Sequence, residues 1–300
     1  MIRFPLVSII TLNYKQANVT REFLESCKSL TYPNYEIIVC DMKSDEDPRQ
    51  VIDIDKYSNA SLYLNSKNLG FSGGNNWGIS KARGEFLFIV NNDTEVTPNI
   101  IEKLLTPFSI DNKIGVVCPK IKYFSNKDVI QYAGFTKINS ISGRSKTVGF
   151  LEKDLGQFDD IRVTFAPHGA AMMVRKDVIE DVGGFPESFF LYYEELDLGA
   201  RVLAAGYKIY VQGFATIYHK ESMSVGKLNP MKQYYLTRNR ILYMRRNCKL
   251  YEFPFFLLFF TFLTVPKTVL LFVLKGQYSY LKAFLRGIRD NFFMSSFSVT

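Results

Sequence analysis

Short, β-branched apolar runs alternate with amphipathic stretches through the first hundred residues. That alternation predicts a mainly parallel sheet covered by helices on both faces. Leu6–Leu12 (LVSIITL) is continuous, apolar and too short for a helix, so it reads as a buried strand. Tyr35–Cys40 (YEIIVC), a weaker Ser61–Leu64 and a strong Glu85–Val90 (EFLFIV) repeat the pattern. Between them, Val19, Phe23, Leu24, Cys27 and Leu30 form a helical stripe, and Ser72–Ala82 predicts a second helix. Thr97-Pro98 predicts a third, with Thr as N-cap and Pro in the first turn. Ligands of such a sheet bind beyond the carboxyl ends of its strands, where strand order reverses.

Beyond Gly115 the periodicity loosens as far as Val174, and residues 139–160 read as a mobile surface segment. Ala170–Val174 is strand-like, Tyr193–Ala205 helical, and KIYVQGFATIY strand-like again. Met231–Arg246 is a basic helix and Phe253–Leu274 is almost wholly apolar. These shifts divide the chain into residues 1–229, with halves 1–118 and 119–229, and a helical region 230–300.

With 47% hydrophobic and 22% charged residues, the 300-residue chain is too apolar for disorder and long enough for a large core. Cys27, Cys40, Cys118 and Cys248 stand far apart, with no CxxC or CxxH pair, which excludes a disulfide scaffold and structural zinc. Free thiols and no secretory signal at Met1–Pro5 point to the reducing cytosol. The net charge of +8 is concentrated: residues 230–300 hold 11 Lys/Arg against 2 Asp/Glu, leaving 26 against 27 for residues 1–229. A near-neutral body excludes wrapping of nucleic acid. A basic, aromatic tail suits an anionic membrane surface.

Three segments carry chemistry. Asn91-Asn92-Asp93 directly follows the strand FLFIV, which places a carboxylate at the sheet's carboxyl edge, where it either closes an Asx turn or holds a divalent cation. Asn68-Leu-Gly-Phe-Ser-Gly-Gly-Asn-Asn-Trp77 is a Gly/Asn-rich entry to a helix that is neither a P-loop nor a dinucleotide fingerprint. Its glycines permit close approach of backbone to a phosphate or sugar. Glu194, Glu195 and Asp197 follow the aromatic run Phe189–Tyr193. Acids in a first turn serve as helix-dipole partners, but an apolar wall also raises a carboxylate's pKa and makes it a usable base. Asp197 and Arg201 are spaced to pair at i,i+4. His219 follows a strand, and His168 sits in a turn.

Taken together and in this order, these runs resemble the inverting family 2 glycosyltransferases with the GT-A fold, specifically the bacterial rhamnosyltransferase-like branch. The resemblance spans roughly residues 5–245, through VSIITLNY, YEIIVCD, NLGFSGGNNWGISKARGEFLFIVNND, GAAMMVRKDVIEDVGGFPESFFLYYEELDLGARVLAAGY and YYLTRNR. It implies a Rossmann-like sheet, an Mg²⁺ or Mn²⁺ ion, a nucleotide-diphosphate sugar donor, and a glycan or lipid-linked glycan acceptor of the kind used in surface polysaccharide or O-antigen synthesis. Asp93 matches the metal-binding acid of a DxD-type motif whose first acid is Asn91 here, and His219 matches a His that completes the metal site. Asp41 matches the acid that contacts base or ribose, although Met42 stands where the family carries Asn. Thr11, Asn13, Asn68, Gly73, Asn76, Asn91 and Asn92 complete the implied nucleotide-sugar site. Glu195 matches the general base, with Glu194 beside it on the acceptor side and Asp197 in the same motif. QxxRW is absent, which implies one addition per encounter. A nucleotidyltransferase would want Arg and Lys on the first loop, where only Lys15 stands; a non-catalytic binding protein would not need Asp93, Glu195 and His219 together.

Phe253–Leu274 is 22 residues with a single Lys, interrupted by Pro266-Lys267. Arg238, Arg240, Arg245, Arg246 and Lys249 precede it; Lys275, Lys282, Arg286 and Arg289 follow. Positive flanks on both sides favour an interfacial or re-entrant helical pair on the cytoplasmic face of the inner membrane. A homodimer interface is the alternative use of the same surface.

Overall fold

A computed structural model describes residues 4–220 and 229–295; Met1–Arg3, where the leader was sought, lie outside them. The strands are β1 (Val7–Asn13), β2 (Tyr35–Met42), β3 (Ala60–Asn65), β4 (Phe86–Val90), β5 (Thr94–Val96), β6 (Ile114–Tyr123), β7 (Ile130–Tyr132), β8 (Ile161–Thr164), β9 (Ala171–Arg175) and β10 (Lys208–His219). The helices are α1 (Ala17–Cys27), α2 (Gly70–Lys81), α3 (Ile100–Ile110), α4 (Lys176–Val182), α5 (Glu194–Ala204), α6 (Pro230–Asn247), α7 (Phe253–Phe259), α8 (Val265–Leu274) and α9 (Tyr278–Asp290). One mixed sheet runs β3-β2-β1-β4-β9-β6-β10-β5, with β7 on β6 and β8 on β10. The expected parallel half is β3-β2-β1-β4, and β9 joins β4 antiparallel. Strand order reverses between β1 and β4, so the carboxyl ends of both open onto one crevice.

Helix α2 explains its own glycines. A Cβ at Gly74 would stand 2.9 Å from Leu12 Cδ1, and one at Gly78 would stand 2.5 Å from Ile10 Cγ2. These glycines let the helix backbone rest on the sheet, a role that a residue carrying a Cβ cannot fill without displacing Leu12 or Ile10.

Three expectations fail for physical reasons. Helix α3 begins at Ile100 behind Asn99, because β5 carries Thr97 against β10, where its hydroxyl donates to Thr216 O at 2.9 Å instead of capping. Strand β6 was hidden by Pro119 and Lys120, yet Lys120 is buried and ion-paired with Asp154 and Asp159. The same pairs tie down residues 139–160, which also bridge at Asn139–Arg144, Phe135–Thr147 and Val129–Lys153 rather than moving freely.

The C-terminal helix is not interrupted at Pro266. A π turn over Phe260–Thr264 joins α7 to α8, and this wider turn accommodates the missing proline N–H. Phe253–Leu274 therefore forms one helical path of 22 residues, mean hydropathy 2.2 in its most apolar window, with 11% of that window buried. Helix α9 folds back against α6 and α8. Phe256, Phe260, Phe272 and Phe284 join Ile241, Leu242, Met244, Phe189 and Leu196 in a second apolar core beside that of the sheet. The basic flank of α6 points inward, contrary to its expected membrane role. Arg238 donates to Ser188 O and Phe189 O, Arg245 to Asn291 O and Met294 O, and Arg246 pairs with Asp197. Orphan carbonyls of turns and helix ends attract these guanidinium groups more effectively than an outer surface does.

Candidate active site

At the crevice, side chains from four elements form a chain of hydrogen bonds. Asn13, the last residue of β1, donates from Nδ2 to Asp41 Oδ1 at 2.6 Å, because the parallel register sets these two residues side by side. Thr20 of α1 donates to Asn13 Oδ1 at 2.7 Å and accepts from Asn92 Nδ2 at 2.8 Å. Ser44 N and Oγ both donate to Asp41, at 2.9 and 2.6 Å. Asn13, Asp41 and Asn92 are thus brought together as expected. Ser44 stands where the family's Asp-Asn-x-Ser-x-Asp pattern has its Ser but was given no role, and Thr20 was missed because nothing in its local sequence marks it and only the docking of α1 brings it here. Thr11 lies one turn of the pleat deeper, with its hydroxyl buried and without a partner.

Asp93 and His219 meet through the β5–β10 pairing, in which His219 stands opposite Thr94. Asp93 Oδ1 lies 3.1 Å from His219 Nε2, and both atoms are buried without a hydrogen bond. His219 Nδ1 lies 2.8 Å from Gln131 Oε1. A carboxylate with an imidazole is the donor set that suits Mn²⁺ and other borderline divalent ions. Among the described residues no cluster of three or more His, Cys, Asp or Glu gathers, so solvent or ligand oxygens would complete the shell.

The second half of the site is the turn before α5. Phe190, Tyr192 and Tyr193 all have positive φ, of 63°, 68° and 75°. Three such residues within four positions store strain that the surroundings must hold. Asn239 Nδ2 lies 3.0, 2.7 and 2.7 Å from the carbonyls of Phe189, Leu191 and Tyr192. Phe190 O accepts from Phe71 N at 2.7 Å. The start of α2, expected to cradle a phosphate, is therefore capped by this turn. A Cβ at Gly73 would stand 2.8 Å from Leu69 Cβ, Asn76 bonds both ways to the Phe185 backbone at 2.7 and 2.8 Å, and Asn68 caps Gly70 N at 2.9 Å. These three residues hold the turn in place and do not join the strand-end network.

The turn aims two glutamates differently. Glu194 is buried, and burial together with its neighbour Glu195 raises its pKa well above the ordinary range. Its Oε2 is buried without a partner among the described residues, and it does not line the cavity onto which Glu195 opens. Glu195 opens onto a cavity of about 420 Å³, and burial raises its pKa to about 7. Asp197 has no exposed surface; Arg201 Nε, Arg246 Nε and Asn247 Nδ2 hold its oxygens at 2.9, 2.8 and 2.8 Å. The expected Asp197–Arg201 pair exists, and it fastens α5 to α6 instead of facing a ligand. A short turn at His168–Ala170 links the two halves. Ala170 O accepts from Asn91 N at 2.9 Å, and a Cβ on Gly169 would lie 4.0 Å from Glu195 Cδ. His168 stacks on Phe135 at 5.7 Å and accepts from Ala170 N, so it shapes that turn as a neutral ring, its pKa lowered to about 3 by burial.

The sheet superposes on those of known glycosyltransferases. The structure superposes on GalNAc-T7, solved with UDP, GalNAc and Mn²⁺, with a TM-score of 0.65 at 15% identity over 81% of this chain and 48% of that one. For the mannosyltransferase PcManGT of Pyrobaculum calidifontis, solved with GDP-Man and Mn²⁺, the TM-score is 0.60 at 13% identity, covering 96% and 87%. The fold is therefore GT-A-like. In sequence, the chain is 28% identical over 242 residues to the low-salt glycan biosynthesis hexosyltransferase Agl10 of Haloferax volcanii, covering 79% of this chain and 74% of the relative. It is 25% identical over 228 residues to the O-antigen biosynthesis protein RfbC of Myxococcus xanthus, covering 73% of this chain. An uncharacterized protein, y4gI of Sinorhizobium fredii, is 28% identical over 261 residues, 83% of this chain. The chain spans only 18% of RfbC and 28% of the Sinorhizobium protein. The Glycosyl transferase family 2 model matches residues 8–183, more than half the chain. The chain belongs to glycosyl transferase family 2.

Proposed function

We propose that the protein transfers a hexose, with rhamnose the first donor to test, from a nucleoside diphosphate to a glycan hydroxyl with inversion, in the synthesis of a surface polysaccharide. One observation carries this reading. A strand-end carboxylate set against an imidazole, a pair of the type that holds divalent cations, lies across the short His168–Ala170 turn from a glutamate whose pKa of about 7 suits a base. Asn13, Asp41, Asn91 and Asn92 bind the nucleoside at the strand ends. Asp93 and His219 would hold the divalent ion; when bound, it supplies positive charge against the diphosphate. Glu195 takes the proton of the acceptor hydroxyl as that oxygen attacks the anomeric carbon from the face opposite the diphosphate. Glu194, kept neutral by burial, leaves Glu195 as the one charged group of the pair. Asp197 positions α5. The exposed apolar helix Phe253–Leu274 seats the enzyme on the cytoplasmic face of a membrane.

TDP-, UDP- and GDP-sugars, each with and without Mn²⁺, test the donor reading by thermal stabilisation and by slow hydrolysis. One nucleotide class should stabilise the protein only with the ion. The anomeric configuration of the product, read by NMR, tests inversion; retention would rule out a single displacement.

A further inference from the structure

The proposed chemistry gives no task to one titratable group of the crevice. His168 opens the short turn that carries Gly169 and Ala170, and this turn touches both halves of the site. On the strand-end side, Ala170 O accepts from Asn91 N at 2.9 Å. On the other side, a Cβ at Gly169 would lie 4.0 Å from Glu195 Cδ. Gly169 lacks the positive φ that would demand a glycine, so its missing side chain serves space rather than conformation. The space lies beside Glu195, on the turn that also meets the strand ends.

The His168 ring is fixed in orientation. It stacks on Phe135, with centroids 5.7 Å and planes 6° apart, and lies 4.8 Å from the Tyr132 ring. Tyr132 is the chain neighbour of Gln131, whose Oε1 is 2.8 Å from His219 Nδ1. Ala170 N donates to His168 Nδ1 at 3.0 Å. A backbone N–H can only donate, so Nδ1 carries no proton and the ring is neutral, with its proton on Nε2. That N–H has no acceptor among the described residues and, unlike His219 Nε2, is not sealed from solvent. Packing accounts for the stack and for the bond at Nδ1. It does not account for an oriented N–H left open.

The charge state selects the group that this N–H suits. A neutral donor is a weak partner for a diphosphate, whose charge a cation at Asp93 and His219 would meet. It is well matched to a hydroxyl, which accepts without a charge to balance. Resting on the glycosyltransferase reading of the site, we infer that His168 is a specificity-determining contact to the donor sugar. Its Nε2–H donates to a sugar hydroxyl and so orients the anomeric carbon between Asp93 and Glu195.

Two substitutions divide the functions of the ring. In His168→Asn, the side-chain oxygen can still accept from Ala170 N as an Asx turn, but nothing reaches the place of Nε2. In His168→Gln, the amide nitrogen reaches it. Calorimetry of the full chain with Mn²⁺ compares TDP-rhamnose with TDP, UDP-galactose with UDP, and GDP-mannose with GDP. For a pair that the wild type binds, His168→Asn should weaken the sugar nucleotide about three- to tenfold, as expected for one hydrogen bond. The nucleoside diphosphate should stay within about twofold, which also reports that the variant is folded, and His168→Gln should restore most of the loss. An equal loss for the nucleoside diphosphate, an unchanged sugar nucleotide, or no rescue by Gln would each overturn the assignment. Failure of the glycosyltransferase reading is separately visible, as binding of none of these pairs by the wild type.

Discussion

Two adjacent glutamates are given opposite states by one turn of backbone. Glu194 is sealed among apolar groups, whereas Glu195 faces the cavity with a pKa of about 7. Glu195→Gln should lower transfer by roughly 10²–10⁴ while donor affinity, measured by calorimetry, stays within a few-fold. Transfer near the wild-type rate would remove Glu195 from the role of base. Transfer by the wild type should rise with pH through about 7, as the base loses its proton. Stability should run the other way. A carboxyl whose folded pKa lies above its ordinary 4.5 contributes most to stability below pH 4.5, and that contribution is lost as pH rises through about 7. Glu195→Gln should therefore melt higher than wild type at pH 8, with the gap closing toward pH 4.5. At the other end of the crevice, Asp93→Ala should weaken the donor as much as chelation of divalent ions does. His219→Ala should produce a milder loss, since it removes one neutral ligand and leaves the carboxylate. Equal donor affinity with and without Mn²⁺ would sink that assignment.

The element that sets Glu195 at the cavity is the strained turn from Phe189 to Tyr193, and α6 is the element that holds it. Asn239 reaches three carbonyls of the turn, and Arg238 reaches those of Ser188 and Phe189. Each unmet buried carbonyl costs about 1–3 kcal/mol, comparable with the strain of one positive-φ residue. Asn239→Ala should therefore lower stability by about 2 kcal/mol or more. A purely structural loss would stop there. Release of the turn should also admit water beside Glu195, so the pH midpoint of transfer should move below 7 and kcat should fall more than donor KM rises. An unchanged pH midpoint would show that α6 stabilises the turn without tuning the base.

Over the whole molecule, the excess positive charge divides differently from its position in the chain. Of the basic residues before Phe253, Arg238, Arg240, Arg245 and Arg246 all point inward, and Lys249 stays exposed. Exposed Lys267, Lys275 and Lys282 remain for an anionic surface. Binding to anionic vesicles should accordingly depend more on Phe255, Leu258 and Phe262, which are 61%, 55% and 70% exposed, than on charge. High salt should leave most of the protein bound, and Phe262→Asp should release it; indifference of the full chain to such vesicles would exclude the membrane reading. The charge division also suggests that residues 1–249 could stand alone as a donor-binding unit. The second core opposes this, since removing residues 250–300 strips Phe256, Phe260, Phe272 and Phe284 from α6 and Phe189. Phe256 alone is fully buried, and Phe256→Ala should cost about 3–5 kcal/mol. Truncation at 249 should give aggregated protein; a soluble, donor-binding fragment would show that α6 keeps its seat without the tail.

Local periodicity was enough for β1, β2, β4, α2 and α6, because burying an apolar stripe or a continuous apolar run leaves a chain little other choice. It was also enough to put Asp93 at a strand end and Glu195 in a first helical turn behind aromatics. It could not find β6, because a buried Lys120 matched by Asp154 and Asp159 looks like a surface residue until its partners are known. Nor could it assign the glycines of α2 to helix–sheet contact, or the arginines of α6 to carbonyls and to Asp197. In each case the residue type fits both a ligand and a packing role, and the choice depends on what lies opposite. Tertiary structure alone decided that Asp93 meets His219 and that Asn239 grips the turn before Glu195. These are contacts between residues distant in sequence, fixed by strand register and helix docking, and no local pattern encodes them.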